Sequence, residues 1–480
     1  MKNITEFREQ AHKMVDWIAD YFVQIRQYPV KPKIEPNQIV SELPAHPPLS
    51  GCSMDEIFTD FKNIVLPGIT HWQHPNFHGY FPSNNSFPSI LAEFLTAAIG
   101  TQCMKWETSP AGTELEIVVM NWLREMIGLP ESFQGVINDS ASTSTLCAIL
   151  AAREKYSYFE INDKGFNSFN NFKIYCSSEA HSSVEKAVKI AGIGSYNLTK
   201  IPVDENFAMN PAYLRKCIEN DKKSGKLPIC VIAALGTTGS TAVDPLYEIA
   251  NICADYNLWL HVDAAFAGSA LILPEFKDLL KGIKLAQSFV FNPHKWLFTN
   301  FDCSAFFVQD KDTLIKTFEL IPEYLKTKTD VKINDYSNWG PGLGRRFRAL
   351  KLWFVIRSFG VSELQAMIRN HIAMAKTLEQ KIRVAQGFEI LAPVNFNLIC
   401  FRYKPKSLIE QSKINTWNEK LLSVLNASGK VFLSHTKLNG NYVLRMVLAQ
   451  TNIEQSDVDM AWDLIQAKVL ELEQENLLSA

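Results

Sequence analysis

Ser288-Phe289-Val290-Phe291-Asn292-Pro293-His294-Lys295-Trp296 passes from a short apolar run into a lysine. A run of this length and character reads as a buried strand. Lys295 then sits just past a strand's C-terminal end, where open α/β sheets place their ligand chemistry. A lysine in a largely apolar site loses hydration, which disfavours its charged form. With its pKa lowered, it can form a Schiff base with an aldehyde.

Upstream, Leu258-Trp259-Leu260-His261-Val262 reads as a second buried strand and ends in Asp263-Ala264-Ala265. An aspartate and a lysine on two such strand ends meet the main needs of pyridoxal phosphate (PLP). The carboxylate holds a proton on the pyridine nitrogen, and the lysine holds the aldehyde.

Further strands are expected at Val136-Ile137, Lys173–Cys176, Ile229–Leu235 and Ser304–Val308, alternating with helical patterns. That alternation implies an α/β domain, a mainly parallel sheet with helices on both faces, over residues 86–360. Helical spacing over 345–358 and 362–385 is followed by short strands, with Val431–Leu433 and Tyr442–Met446 flanking Asn439-Gly440, a hairpin signal. Residues 361–480 are therefore expected to form a small C-terminal α+β domain. Residues 1–85 begin with an amphipathic helix over 4–26 and continue as a proline-rich arm. Such a segment has little core of its own, and packs either on a second subunit or on its own chain.

The chain has 480 residues, 47% of them apolar, enough for two or three domains at roughly 150 residues each. A net charge of −2 gives no electrostatic reason to expect nucleic acid or an anionic membrane as a partner. None of the nine cysteines forms a CxxC pair, so they read as reduced thiols of a cytoplasmic protein, with no metal site. No signal peptide and no apolar run of about 18 residues is present, which points away from a membrane.

PLP also needs a phosphate cradle and a clamp on its ring. Ser140-Ala141-Ser142 precedes an alanine-rich helix, so hydroxyls and free N–H groups meet the positive end of a helix dipole. Asn292 and His294 can add donors to the same phosphate. His181, just after a strand, can stack on the pyridine face, and Thr238 can hydrogen-bond near the ring.

These segments resemble the group II PLP-dependent decarboxylases, most closely the aromatic-L-amino-acid decarboxylases. The resemblance rests on Trp259–Gly268 and Asn292–Trp296, and extends to Pro67–Trp72, Ser109–Glu116, Ala180–Glu185, Asn300–Ala305 and Leu343–Arg348. It implies fold type I, the aspartate-aminotransferase-like fold with a mainly parallel seven-stranded sheet. It also implies a homodimer with active sites at the interface, and an N-terminal segment wrapped around the partner. It assigns Lys295 to the Schiff base, Asp263 to the ring nitrogen and His181 to stacking. Ala141, Ser142 and Asn292 match phosphate contacts; Thr238 and Ala265 match other cofactor neighbours. Ser83 stands where the family has a substrate-contacting threonine.

The same resemblance makes Trp72, Tyr80 and Phe81 aromatic walls of a substrate pocket, with Gly344 leaving room for a large ring. This chain departs from the family at Gln102 and Met104, which make one wall more polar and more flexible, and at Asp139, which replaces a glycine. Pro322–Asp330 resembles the mobile catalytic loop, and Tyr324 matches the tyrosine that reprotonates the substrate carbon. Aldehyde synthases tend to carry phenylalanine there. The expected activity is decarboxylation of an aromatic L-amino acid to its amine. The alternatives are a histidine decarboxylase, an aromatic aldehyde synthase and, from another class, a non-catalytic binding protein on the PLP fold.

Overall fold

A computed structural model describes residues 3–166, 169, 171–320, 334–406 and 408–479. They form two compact units, one of residues 83–375 with 392–399, the other of 1–82, 376–391 and 400–480.

The first unit is built on seven strands: β1 (Gln134–Asn138), β2 (Phe172–Ser177), β3 (Leu198–Ile201), β4 (Leu227–Ala234), β5 (Trp259–Asp263), β6 (Ser288–Phe291) and β7 (Ser304–Val308). Their order across the sheet is β1-β7-β6-β5-β4-β2-β3. Every neighbouring pair is parallel except the two made by β7, which runs antiparallel between β1 and β6. The strands are apolar without alternation because both faces are covered. Ile174, Cys176, Cys230, Ile232, Phe306 and Val308 pack on helices Ala141–Tyr156 and Ser182–Ile190. The intervening Tyr175, Val231, Ala233 and Phe307 are equally buried.

The strand β3 escapes the sequence reading. Leu198-Thr199-Lys200-Ile201 is a short, half-polar edge strand, fully buried only at Ile201. Beyond β7, helical geometry from Arg348 to Val384 is broken at Gly360 (φ 67°, ψ 169°), where the sequence pattern breaks as well.

The second unit carries helix Ile4–Val23 and an antiparallel hairpin, β10 (Ser434–Leu438) with β11 (Asn441–Val447); β8 (Phe388–Ile390) pairs with β9 (Leu398–Tyr403) in the same four-stranded sheet. Asn439 and Gly440 turn the hairpin at φ 48° and 78°, as a two-residue loop of this type requires. One expectation is corrected here. The strand before the turn is Ser434–Leu438, because a two-residue loop pairs Leu438 directly with Asn441; Val431–Leu433 lies outside it.

Candidate active site

The site is organised by the C-terminal ends of β5 and β6. Beyond the regular ladder, Ala264 N–H donates to Val290 O at 2.9 Å and Asn292 N–H donates to Ala265 O at 2.9 Å. The residues after both strands are thus held in register. The Ala265 N–H donates to Asp263 Oδ1 at 3.0 Å and orients the carboxylate. Lys295 follows on a one-turn helix, Pro293–Trp296.

Alternation along β5 places His261 and Asp263 on one face. The ring of His261 identifies that face: Nε2 lies 3.3 Å from Thr145 Oγ1 on helix Ala141–Tyr156, and Nδ1 lies 2.9 Å from Ser288 Oγ. Asp263 therefore points to the side of the sheet on which the Ser140–Ser142 helix start lies. Burial pushes His261 down to about 4, so it is a neutral spacer there.

Lys295, Asp263 and His181 share one electrostatic neighbourhood. Burial lowers the Lys295 pKa, and Asp263 opposes that shift. The His181 pKa is lowered chiefly by burial, with Lys295 adding to the shift and Asp263 opposing it. His181 also caps helix Ser182–Ile190: its Nδ1 accepts from the Ser183 N–H at 3.2 Å and lies 2.8 Å from Ser183 Oγ. A backbone N–H can only donate, so Nδ1 is the acceptor and the ring carries its proton on Nε2.

The helix start fits an anion. Ser140 spends its hydroxyl oxygen on the Thr143 N–H, whereas Ser142 stands exposed in the first turn. Asn292 is buried, and its Oδ1 has no protein partner. Exchanging the two ends of that carboxamide would aim an N–H at the same place. A helix N-terminus, a free hydroxyl and an unmatched buried amide suit the phosphate of PLP. His294 contributes less than its position suggests. Its Nδ1 accepts from the Cys303 N–H at 2.9 Å, and burial pushes its pKa down to about 3, leaving one donor, Nε2–H. Asp139 is exposed, and its charge is felt by Arg348, which chelates Asp302 at 2.9 and 3.1 Å. In the turn after β4 the exposed residue is Thr238, while Thr237 is buried and accepts the Ala242 N–H at 3.0 Å.

On the substrate side, Gln102 is less available than its sequence position implies. Its Oε1 accepts from the Arg345 N–H at 3.3 Å. The same oxygen would lie 3.6 Å from a Cβ at Gly344, an ordinary contact, so within one chain Gly344 is not a forced vacancy. The Met104 carbonyl accepts from the Ser337 N–H at 2.9 Å. Arg345, whose carbonyl also accepts from the Cys103 N–H at 3.0 Å, is itself held by a buried ion pair with Glu116. Trp72, Tyr80 and Phe81 belong to the other unit, except that Ser83 begins the first. There Trp72 and Tyr80 stack at 5.9 Å, both partly open to solvent, and Phe81 lies beneath the Arg445 guanidinium. Tyr324 and its loop lie outside the described residues.

Sequence reasoning missed Asn84. This buried side chain donates from Nδ2 to the Lys295 carbonyl at 3.0 Å, and its backbone N–H donates to the His294 carbonyl at 3.1 Å. The only sequence signal available was the shortness of the lysine's helix, whose carbonyls must find partners elsewhere.

Residues 36–404 match the pyridoxal-dependent decarboxylase conserved domain. The chain belongs to that family. A phenylacetaldehyde synthase of Petunia hybrida is 40% identical over 476 residues, covering 96% of this chain and 93% of the relative. An aromatic-L-amino-acid decarboxylase of Catharanthus roseus is 40% identical over 471 residues, covering 96% and 93%. The crystal structure of an Oryza sativa TDC with PLP and tryptamine superposes with a TM-score of 0.95 at 36% identity, covering 98% of this chain and 99% of that one. This pyridoxal-dependent decarboxylase therefore has fold type I, as expected from its sequence, and is a PLP-dependent carboxy-lyase.

Proposed function

We propose that the enzyme decarboxylates an aromatic L-amino acid, such as dopa, 5-hydroxytryptophan, tryptophan, tyrosine or phenylalanine, releasing carbon dioxide and the amine. The observation that carries the reading is the half-buried Lys295, with its ammonium form disfavoured, beside Asp263 and the neutral ring of His181. The decarboxylase, synthase and TDC relatives named above support the substrate class.

Bound PLP supplies the electron sink for the departing carboxylate. The chain's own residues do the rest. The Lys295 amine, its ammonium form disfavoured, would hold the cofactor aldehyde. Asp263 keeps a proton on the ring nitrogen, and the Ala265 N–H keeps Asp263 in place. The start of helix Ala141–Tyr156, Ser142, Asn292 and the Nε2–H of His294 hold the phosphate. His181 stacks on the ring, and Thr238 hydrogen-bonds beside it. We assign Trp72, Tyr80, Phe81, Gln102, Met104 and Gly344 to recognition of the substrate side chain, and the Ser83 hydroxyl to the substrate as well. Tyr324 returns a proton to the α-carbon after carbon dioxide leaves.

We also read the enzyme as a cytoplasmic homodimer with active sites at its interface. Helix Phe87–Ile99 exposes Phe87 (65%), Leu91 (54%) and Ile99 (61%), and helix Ile4–Val23 exposes Ile4, Phe7 and Val23. Apolar surface of that kind fits a second copy of the chain. All nine cysteines are free, which suits a reducing compartment. No helix among the described residues is long and apolar enough to cross a membrane.

Similarity to the Petunia synthase keeps a second outcome in view, conversion of the amino acid with oxygen and water to aldehyde, carbon dioxide, ammonia and hydrogen peroxide. Incubating the enzyme with each aromatic amino acid and with histidine, while measuring amine, carbon dioxide, peroxide and ammonia, separates the two. Amine without peroxide is expected. Tyr324→Phe should lower the amine and raise the aldehyde. An unaltered amine yield in that variant would remove Tyr324 from the mechanism.

A further inference from the structure

We infer that Asn84 is a positioning residue for Lys295, setting the backbone from which the amine is presented. The inference rests on the proposed role of Lys295.

The helix Pro293–Trp296 is one turn long. At its ends the Lys295 N–H donates to Asn292 O at 2.9 Å and the Leu297 N–H donates to Pro293 O at 3.0 Å. The carbonyls of His294 and Lys295 must be met from outside, since buried carbonyls without partners are costly. Asn84 meets both, the first with its backbone N–H and the second with its side-chain amide, across 211 positions of sequence. Two residues on, Ser86 Oγ donates to Phe298 O at 2.7 Å. The segment 84–86 thus grips the lysine turn at three points, the carbonyls of His294, Lys295 and Phe298.

The chemistry of asparagine matters at this place. Alanine would remove the side-chain donor to the Lys295 carbonyl. Aspartate has the same shape, but its ionised carboxylate cannot donate, and it would face a carbonyl oxygen. Because Ser83 directly precedes Asn84, the same contact fixes the spacing between the proposed substrate hydroxyl and the lysine. Misplacing a reacting group by about an ångström can cost about 100-fold in rate.

The test uses full-length holoenzyme of the wild type, Asn84→Asp and Asn84→Ala. Three readouts are needed: turnover per bound cofactor, the pH at which the visible absorbance of lysine-bound cofactor titrates, and thermal stability. Asn84→Asp should lower kcat about 10- to 100-fold, with KM changed much less. The absorbance titration should shift, and the ratio of variant to wild-type kcat should rise as pH falls and the new carboxyl gains a proton to donate. Asn84→Ala should show the same kcat loss without that pH-dependent recovery. Unchanged kcat and an unchanged absorbance titration in both variants would overturn the inference. So would a loss of folded protein alone, with normal turnover per bound cofactor. A wild type that makes no amine but still shows the absorbance shift on substitution would sink the activity proposal and spare this one.

Discussion

The indole N–H of Trp296 donates to Nδ1 of His371 across 3.0 Å, and both rings are buried. An indole can only donate, so His371 accepts at Nδ1 and carries its proton on Nε2. On its other side Trp296 stacks on Phe266 at 4.8 Å, the ring that follows Asp263-Ala264-Ala265. The residue after the lysine is thereby tied both to the aspartate's loop and to the helix beyond Gly360. Trp296→Phe keeps the stacking but strands the imidazole acceptor. It should cost about 1–3 kcal/mol, read as a shift in the denaturant midpoint, with cofactor binding weakened in parallel.

Glu116 and Arg345 form a buried pair whose carboxylate also accepts the Ile137 N–H at 2.8 Å. Removing one partner leaves the other's buried charge uncompensated, with the Ile137 carbonyl as the remaining acceptor for Arg345 at 3.2 Å. Glu116→Gln should destabilise the enzyme by about 3–5 kcal/mol, measured by chemical unfolding. Substrate KM should rise as well, since Arg345 anchors Gln102 through its backbone.

His78 is fully buried, and burial lowers its pKa from 6.5 to about 4, against the pull of a 3.1 Å contact with the Val447 carbonyl. The unfolded chain therefore takes up a proton first. The stability this ring contributes is complete above about pH 6.5 and is lost as pH falls towards 4, about 3 kcal/mol in all. Unfolding free energies at pH 7 and pH 5 should differ by less in His78→Asn than in the wild type. Equal pH slopes in the two proteins would contradict the assignment.

Lys295→Ala should abolish covalent attachment of the cofactor and reduce turnover by at least about 1,000-fold. Borohydride reduction followed by peptide mass analysis checks this directly: a PLP-modified peptide containing residue 295 is expected from the wild type and not from the variant.

The strand ends bearing Asp263 and Lys295 could be read in advance because a strand buried on both faces is written as an unbroken apolar run. Asn439-Gly440 was equally legible, since the positive φ values of a two-residue turn need particular residues. Direction was not. Ser304–Val308 is as apolar as its neighbours, and nothing in its composition says that it runs antiparallel. Ser434–Leu438 was overlooked because it is a half-exposed polar strand beside a more apolar tripeptide. Within the site, the identity of the reacting groups could be inferred from residue type. The contacts that orient them could not, because Asn84 and Lys295 meet only after the chain has folded. Gln102 was read as a free polar wall for the same reason: its partner Arg345 lies 243 positions away.

The placement of β7 imposes an order on the assembly of the sheet. β1 lies at the sheet's edge, and among the described residues β7 is its one neighbour. On the ribosome, residues 134–138 emerge long before 304–308, and until then β1 has no strand to pair with. Every other strand can be seated against a neighbour made earlier or soon after. The strand that leads into helix Ala141–Tyr156 is thus the first of the seven to be synthesised, and it joins the sheet only when the last has been made.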